Sequence, residues 1–207
     1  MAALIENMGV LIHRAFVMDR RVSKIASHMA ELIPEDVISL LDVGAGTGEI
    51  AQAICKMRPE LIISGVDIKT RPKTFIPVVD YDGNQLPFDD NAFDAVMIID
   101  VLHHCNDPIA MLKEFSRVSK KWVLIKDHIS ETPLDRVILK FMDWIGNTAH
   151  GVVLPYNYLS SSQWASAFNQ TGLQDMRKLN RLDLYPIPFD FIFGGSLHCL
   201  HLLSKGG

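Results

Sequence analysis

The spacing of apolar residues predicts two amphipathic helices at the start of the chain. Apolar positions recur at helical intervals from Leu4 to Ala15, and again from Val22 to Ile33, just before Pro34. Helices of this kind can cover a cleft, and they can equally be a pair that packs on the rest of the domain. We therefore describe residues 1–36 as an N-terminal helical cap.

From residue 37 onward, short apolar runs alternate with helical stretches, which is the pattern of a parallel sheet with helices on both faces. The predicted strands are Val37–Val43, Leu61–Val66, Phe75–Val79, Phe93–Ile99 and Trp122–Lys126. Between them, helical spacing predicts one helix from Ile50 to Met57. Another begins at Asp107-Pro108, a capping residue followed by proline.

The pattern changes again after the fifth strand. Apolar residues from Leu134 to Ile145 form a helical stripe, and the capping-box pattern at Ser160–Gln163 opens a helix that ends at Thr171-Gly172. Two strands follow at Leu173–Arg181 and Ser196–Leu203, and the connection between them is too short for a long crossover helix. We therefore predict that these two strands are antiparallel.

Together these elements predict an α/β fold: a doubly wound, seven-stranded, mostly parallel sheet with an antiparallel C-terminal hairpin and N-terminal helices. Residues 37–207 carry the sheet and include an insert at about 133–165, after the fifth strand. With the N-terminal cap, they are expected to form one compact domain.

Composition and charge exclude several classes of protein. Of the 207 residues, 48% are hydrophobic and 21% charged, which is typical of a globular chain. The net charge is −4 and there is no long basic run, so no nucleic-acid partner is expected. Polar residues interrupt the first apolar segment, so neither a membrane span nor an export signal is expected. The three scattered cysteines predict reduced thiols and a cytoplasmic location.

A glycine-rich turn joins the first strand directly to a helix. The apolar segment Leu40–Val43 is followed by Gly44, Gly46 and Gly48. Glycines let the backbone approach a ligand, and the helix N-terminus offers free N–H donors, so an anionic or adenosine-bearing ligand is predicted here. The glycine spacing differs from the dinucleotide fingerprint, which disfavours NAD. Asp67, at the end of the second strand, can accept ribose hydroxyls in either class of cofactor.

Several segments between Leu40 and Asp127 resemble the motifs of the class I S-adenosylmethionine-dependent methyltransferases, especially the small-molecule branch that includes the ubiquinone and menaquinone methyltransferases. The segments are DVGAGTG at 42–48, Asp67, DGNQLPF at 82–88, FDAV at 93–96, DVLHH at 100–104 and EFSRV at 114–118. The resemblance implies methyl transfer from S-adenosyl-L-methionine, with S-adenosyl-L-homocysteine as product. The chain departs from the family pattern at 68–74, which is too short for the usual helix, and at Ser119–Trp122, which replaces a Pro-Gly-Gly turn.

The resemblance also implies a cofactor site drawn from these segments. The residues it assigns are Asp42, Gly44, Ala45, Gly46, Gly48, Asp67, Ile68, Asp82, Gly83, Asp100, Val101 and His103. The 44–46 loop is expected beside the methionyl and ribose groups and Asp67 at the ribose. Asp82 and Gly83 are expected at the adenine, with Asp42 orienting the glycine loop. For Asp42 and Asp82, stabilisation of a turn is an alternative role.

Methyl transfer from a sulfonium requires alignment of the acceptor atom and, where the acceptor must lose a proton, one base. Histidines near the carboxyl ends of strands are the predicted bases, with His128 first and His104 and His150 next. A solvated or structurally hydrogen-bonded loop histidine is the alternative for each. No metal ion is expected, because the possible ligands within 103–107 are adjacent and no spaced pair completes them.

The predicted acceptor is a small aromatic or apolar molecule, methylated at O, N or C. Aromatic residues that would line its pocket, or that simply pack in the core, are Phe141, Trp144, Tyr156, Tyr158 and Trp164. Asp143 and Asn147 are one helical turn apart, and they would form a polar grip or a solvated face. The alternative functions are a protein methyltransferase and a non-methylating member of the same fold. A nucleic-acid methyltransferase and a nicotinamide oxidoreductase are disfavoured, and we expect a monomer or a homodimer.

Overall fold

The computed structural model describes residues 18–147 and 155–206, and the side chains of 145–147 are outside the description. The strands are β1 (Ser39–Val43), β2 (Ile62–Asp67), β3 (Val78–Asp80), β4 (Phe93–Ile99), β5 (Ser119–His128), β6 (Leu173–Leu179) and β7 (His198–Lys205). The helices are α1 (Asp19–Leu32), α2 (Glu49–Met57), α3 (Pro108–Val118), α4 (Pro133–Asn147), α5 (Ser161–Thr171) and α6 (Asp190–Phe193), with a 3-10 turn at Leu102–His104.

All seven strands form one sheet, in the order β3-β2-β1-β4-β5-β7-β6. The first five strands are mutually parallel, and β7 pairs antiparallel with both β5 and β6. The predicted fold class is therefore confirmed, including the antiparallel C-terminal strands.

Helices cover both faces of the sheet. On one face, Ile25 and Met29 of α1 and Ile54 of α2 lie in the same buried cluster as Leu40 of β1. On the other face, α3 and α5 pack against Val96 of β4 and its neighbours. α1 therefore packs against the sheet in the same buried cluster as α2. No helix among the described residues is long and apolar enough to cross a membrane.

Local capping signals predicted the ends of two helices correctly. The carboxylate of Asp107 accepts a hydrogen bond from Ala110 N (2.9 Å) at the start of α3. Ser160 and Gln163 form the predicted capping box of α5, and Gly172 ends that helix with a φ of +70°. The first predicted helix, Leu4 to Ala15, lies outside the described residues.

β4 has its predicted bounds, β3 and β5 differ from theirs by three residues at one end, and the other strands differ by one or two residues at an end. β3 is only Val78–Asp80, because the run predicted from Phe75 includes Pro77, which has no N–H to donate to a ladder. β5 is longer than predicted and extends through polar residues at both ends, to His128. Between β2 and β3, residues 68–77 form turns and bends in place of a helix, as Pro72 and the short interval predict.

Candidate cofactor site and a buried histidine–carboxylate cluster

The polar residues predicted to form the site lie at one edge of the sheet. The parallel pairing sets Val43 beside Val66 on one side and Ile98 on the other, so the carboxyl ends of β1, β2 and β4 meet. The pairing of Ile99 with Lys126 adds the end of β5. This is the edge at which open α/β sheets bind ligands.

The glycine loop after β1 has a backbone that only glycine adopts without strain. Gly44 has a φ of +74°, and a Cβ there would lie 2.5 Å from Val101 Cγ2, so the loop packs directly on the segment after β4. Gly46 also has a positive φ, +56°, but a Cβ there would have no heavy atom within 4 Å. The loop is therefore closed on the Val101 side and open beside Gly46, where a ligand can approach the backbone.

Asp67 at the end of β2 is bonded to this loop. Its Oδ2 accepts a hydrogen bond from Gly46 N (2.8 Å), and its Oδ1 accepts one from Lys69 N (3.1 Å). Each carboxylate oxygen has a further lone pair that could accept a ribose hydroxyl. Asp42 was expected to orient the loop, but the direct bond to the loop comes from Asp67. Burial, with the nearby Asp67 charge, raises the pKa of Asp42 to about 7.

The residues predicted at the adenine lie next to one another. A Cβ on Gly83 would lie 3.2 Å from Ile68 Cγ2, and the Ile68 side chain is 66% exposed. The carboxylate of Asp82 accepts hydrogen bonds from Asn84 N (2.8 Å) and Gln85 N (2.9 Å) through Oδ1. These bonds lower the pKa of Asp82 and stabilise its own turn, which is the alternative role considered for this residue.

An ion-pair network that includes the buried Lys126 and two partly buried residues lies at the loop after β4. Asp100, which has a φ of +56°, forms salt bridges with Lys126 of β5 and Arg21 of α1. Burial opposes ionisation of Asp100, but Lys126 and Arg21 hold the pKa of this carboxyl well below its usual range. Lys126 is fully buried and also contacts His198 Nδ1 (3.2 Å). The network therefore joins an N-terminal helix to the loop predicted beside the methionyl group.

His103 lies between two buried carboxylates. Its Nδ1 is 2.6 Å from Asp127 Oδ1, and its Nε2 is 3.4 Å from Asp143 Oδ2. Burial alone would lower the pKa of His103, but the charges of Asp127 and Asp143 raise it to about 10. His103 is therefore positively charged at neutral pH.

His128 lies on the other side of Asp127. Its Nδ1 is 3.3 Å from Asp127 Oδ1 and 3.8 Å from Asp100 Oδ1. Burial lowers the pKa of His128, so its ring is neutral at pH 7 and has a nitrogen available to accept a proton. Burial, followed by the charge of His103, lowers the pKa of His104 to about 4, so its ring is also neutral. His150 lies outside the described residues.

The predicted acceptor-side aromatics divide into buried and exposed residues. Trp164 is a core residue, since it packs against Phe168 and its Nε1 donates to the His128 carbonyl (3.1 Å). Tyr158 is buried beside His103, with 5.6 Å between ring centroids, and its hydroxyl donates to the Asp143 carboxylate. Phe141 and Trp144 are exposed on α4, where Asp143 faces inward. The side chain of Asn147 is outside the described part of the chain.

Several charged or polar residues around His103, His128 and Asp100 were not singled out from the sequence. Lys126 and Asp127 directly follow the apolar run of β5, and His198 lies on β7 directly opposite His128. Charged residues are almost never fully buried unless they are paired. Three consecutive polar residues after a buried apolar run would therefore have indicated this cluster. Arg21 had no comparable signal, since its partner is 79 residues away.

The chain also matches known proteins. Residues 41–124 match the family model described as a methyltransferase domain. The ubiquinone/menaquinone biosynthesis C-methyltransferase UbiE of Cupriavidus taiwanensis is 27% identical over 142 residues, covering 59% of this chain and 58% of that protein. The chain thus spans less than two thirds of the length of this curated relative.

Two solved structures have a similar fold. One is a chain from the complex between the Haloferax volcanii Trm112 methyltransferase activator and a proposed methyltransferase, with a TM-score of 0.68, 17% identity and 92% coverage of both chains. The other is the cyclase SpnF, with a TM-score of 0.64, 14% identity and coverage of 89% of this chain and 80% of that one. At this level of identity, each similarity concerns the fold.

These matches agree with the geometry of the site. A glycine loop with an open side at Gly46, bonded to the acidic residue that ends β2, fits an adenosine-bearing cofactor. The family model runs from within β1 to within β5, so it includes the carboxyl ends of β1, β2 and β4 and stops before that of β5. Residues 41–124 therefore match a methyltransferase domain, and the chain has the fold of the class I S-adenosylmethionine-dependent methyltransferases.

Proposed function

We propose that this chain transfers the methyl group of S-adenosyl-L-methionine to an O, N or C atom of a small aromatic or apolar molecule. The cofactor would lie along the glycine loop, with its ribose at Asp67 and its adenine beside Ile68 and Gly83. Its methionyl end would lie near Asp100 and Val101. The methyltransferase domain at 41–124 and the UbiE-type relatives support this assignment.

One observation carries the proposal beyond cofactor binding: a neutral histidine lies at the end of β5, next to the loop predicted beside the methionyl group. His128 Nδ1 is 3.8 Å from Asp100 Oδ1, and Asp127 lies between His128 and a charged His103. A neutral ring can take a proton from an acceptor, and Asp127 then stabilises the resulting cation. In this proposal His128 is the base, and His103 with Asp127 orients it.

The nature of the acceptor rests on two kinds of support. The name of the UbiE relatives describes C-methylation in ubiquinone and menaquinone biosynthesis, and an aromatic acceptor of that type is apolar. In this chain, α4 presents exposed Phe141 and Trp144, with ring centroids 6.4 Å apart. We propose that the acceptor side includes α4 and the segment up to α5, that residues 37–207 form the catalytic domain, and that the enzyme is a monomer or a homodimer.

The cofactor is tested first, by calorimetric titration of the full chain with S-adenosyl-L-homocysteine and, in parallel, with NAD. Micromolar binding of the first ligand alone supports the proposal. Binding of NAD alone, or of neither ligand, contradicts it. A methyl-labelled donor and a panel of aromatic acceptors then test transfer. Cofactor binding without transfer to any acceptor would favour the non-methylating alternative, and transfer only to polypeptides would favour the protein methyltransferase.

The base is tested with His128→Asn, which should lower turnover at least tenfold while leaving the affinity for S-adenosyl-L-homocysteine within about twofold. His28→Asn is the matched control, because His28 lies on α1 with its ring bonded to the Leu182 carbonyl. Unchanged turnover in the His128 variant would remove this residue as the base.

A further inference from the structure

A group of three side chains with the chemistry of metal ligands lies beside the proposed base. His103, His104 and Asp143 each offer one ligand atom, and the three atoms lie within 4.8 Å of one another. His103 and Asp143 are buried, and His104 is partly buried. Sequence reasoning ruled out a metal ion because no spaced residue completed the 103–107 cluster. In the structure, a residue from further along the chain does complete the group, because α4 brings Asp143 close to the two histidines.

Two ring nitrogens in this group lack a hydrogen-bond partner. His103 Nε2 and His104 Nδ1 are both buried, and neither has a hydrogen-bond partner among the described residues. Because leaving a buried polar atom without a hydrogen-bond partner is destabilising, such atoms in a folded protein call for an explanation. Nitrogens of this kind, placed next to a carboxylate, have the chemistry of metal ligands once an ion displaces the proton that His103 carries at neutral pH.

The separation of the ligand atoms agrees with this reading. His103 Nε2 lies 3.4 Å from Asp143 Oδ2, which is long for a charge-assisted hydrogen bond. Nitrogen and oxygen ligands lie about 2.0–2.1 Å from a tetrahedral Zn²⁺, so two of them are about 3.3 Å apart. An ion could therefore be accommodated between these two atoms with little movement of either side chain.

The surrounding contacts are those that metal ligands require. His103 uses its other ring nitrogen, Nδ1, to contact Asp127 Oδ1 at 2.6 Å, which fixes the ring orientation. The Tyr158 hydroxyl donates a hydrogen bond to Asp143 Oδ2, the same oxygen that faces His103 Nε2, and a carboxylate oxygen has two lone pairs for such contacts. A carboxylate behind the histidine and a donor on the liganding carboxylate are both common outer partners of metal sites.

Two neighbouring groups have similar composition but are already satisfied. Asp100, His128 and His198 surround Lys126, whose ammonium group contacts both Asp100 and His198. In the group formed by His103, Asp127 and His128, the Asp127 carboxylate already bonds to both rings. In these two groups the candidate ligand atoms already have partners within the protein, so neither calls for an ion.

We propose that His103, His104 and Asp143 form a binding site for a divalent first-row transition-metal ion, with Zn²⁺ as the probe. Two imidazoles and one carboxylate suit such ions better than Mg²⁺, which prefers oxygen ligands. Three protein ligands leave a coordination position that an acceptor oxygen can occupy, and an ion there would lower the pKa of that oxygen. This use of the ion rests on the proposed function, whereas binding of the ion does not.

The test is calorimetric titration of the chelator-treated full chain with Zn²⁺, with Mg²⁺ in parallel. We expect one equivalent of Zn²⁺ to bind with a Kd in the micromolar range or tighter, and no saturable binding of Mg²⁺. Asp143→Asn and His104→Gln should each weaken Zn²⁺ binding about 10–100-fold. Asp89→Asn, a change of the same kind at an exposed carboxylate, should leave Zn²⁺ binding unchanged.

Visible absorption of the Co²⁺-loaded protein provides a second readout, because a tetrahedral site with nitrogen ligands gives a characteristic spectrum. This spectrum should be lost in both ligand variants and kept in Asp89→Asn. If Asp143→Asn fails to fold, His104→Gln decides, since His104 is partly exposed. Failure of the wild type to bind stoichiometric Zn²⁺, or equal binding by a folded ligand variant, overturns the proposal. S-Adenosyl-L-homocysteine titration tests the proposed function separately.

Discussion

The Asp67 carboxylate accepts two backbone hydrogen bonds at the carboxyl end of β2. It bonds to Gly46 N and Lys69 N, so it holds the glycine loop in place and anchors the turn after β2. In the proposed function the same group accepts the ribose hydroxyls. A substitution that retains a side-chain oxygen should therefore separate the loop contacts from ribose binding better than one that removes the whole side chain.

Asp67→Asn should weaken binding of S-adenosyl-L-homocysteine about 10–100-fold, because a hydrogen bond to a charged group contributes about 1.5–3 kcal/mol. Asp67→Ala should weaken it further, since the contact to Gly46 is also lost. Calorimetry measures both affinities, and Asp89→Asn is the control at an exposed position. Wild-type affinity in either Asp67 variant would contradict the ribose assignment.

The buried carboxyl of Asp42 should make stability depend on pH. Its pKa is raised to about 7 in the folded chain, against about 3.9 in an unfolded one. Between these values the folded state keeps a proton that the unfolded state has lost, so stability is greatest below pH 4 and is lost as pH rises toward 7. This difference in pKa changes the free energy of unfolding by up to about 4 kcal/mol across the pH range.

Asp42→Asn replaces the protonated carboxyl with a neutral amide and should remove this dependence. Urea unfolding between pH 4 and 8 should show the variant gaining stability relative to the wild type as pH rises, with the gain levelling off above pH 7. A constant difference across this range would mean that Asp42 ionises normally in the folded chain.

Single-residue roles were predictable where one local signal determines them. The turn at Asp82 follows from Asp-Gly chemistry, and the glycine loop follows from its strand and helix neighbours. The charge state of His103 was not predictable, because it depends on Asp127 and Asp143, which are 24 and 40 positions further along the chain. Trp164 could not be assigned to pocket or core from spacing alone, since both place an aromatic on the buried face of a helix.

At the scale of elements, α1 is coupled to the site through one ion pair. Arg21 reaches from α1 to Asp100, and Lys126 of β5 shares that carboxylate. The adjacent Arg20 is exposed and donates to the Asp183 carbonyl (3.1 Å), away from this network. These two arginines therefore form a matched pair for testing whether α1 supports the loop after β4.

Arg21→Met should destabilise the chain by about 1–3 kcal/mol, because the partly buried Asp100 loses one of its two cations. Cofactor affinity should fall with it, and amide hydrogens of α1 should exchange faster. Arg20→Met should change each quantity much less. Urea unfolding, calorimetry and hydrogen exchange measure the three effects. Equal behaviour of the two variants would mean that the Arg21–Asp100 pair does not attach α1 to the site.

The elements themselves were predicted well where the hydrophobic pattern was uninterrupted. β4 has the predicted bounds, and α3 and α5 begin at their predicted caps. β5 was predicted too short because it begins with three polar residues and its last two, Asp127 and His128, are polar yet buried. Hydrophobicity alone ends a strand at such a point, whereas pairing with β7 and the carboxylate contacts continue it.

At the scale of the whole molecule, the sheet order brings distant polar residues to one edge. Insertion of β7 between β5 and β6 places His198 opposite His128 and completes the surroundings of Lys126. The fold class was predictable from the alternation of strands and helices, but this cluster depends on register between strands. The polar run that ends β5 indicates that its side chains need partners, but no pattern within a single segment says which residues those partners are.

Cofactor binding should stabilise the whole chain, because the proposed site is assembled from the ends of four strands in the folded state. At a concentration of 100 times its Kd, S-adenosyl-L-homocysteine adds about 2.7 kcal/mol. For a chain of this size, that corresponds to a rise in Tm of about 5–10 °C. A thermal melt monitored by circular dichroism measures the rise. NAD at the same concentration should leave Tm unchanged, and an equal rise with NAD would contradict the proposed cofactor.

The network of Arg21, Asp100 and Lys126 also limits how this sequence can vary. Loss of any one member leaves a buried or partly buried charge without its full complement, at a cost of about 1–3 kcal/mol. This is a considerable fraction of the stability of a typical domain, which is about 5–15 kcal/mol. Substitutions at the three positions should therefore occur together across natural homologues, with charged sets exchanged for neutral ones as a unit.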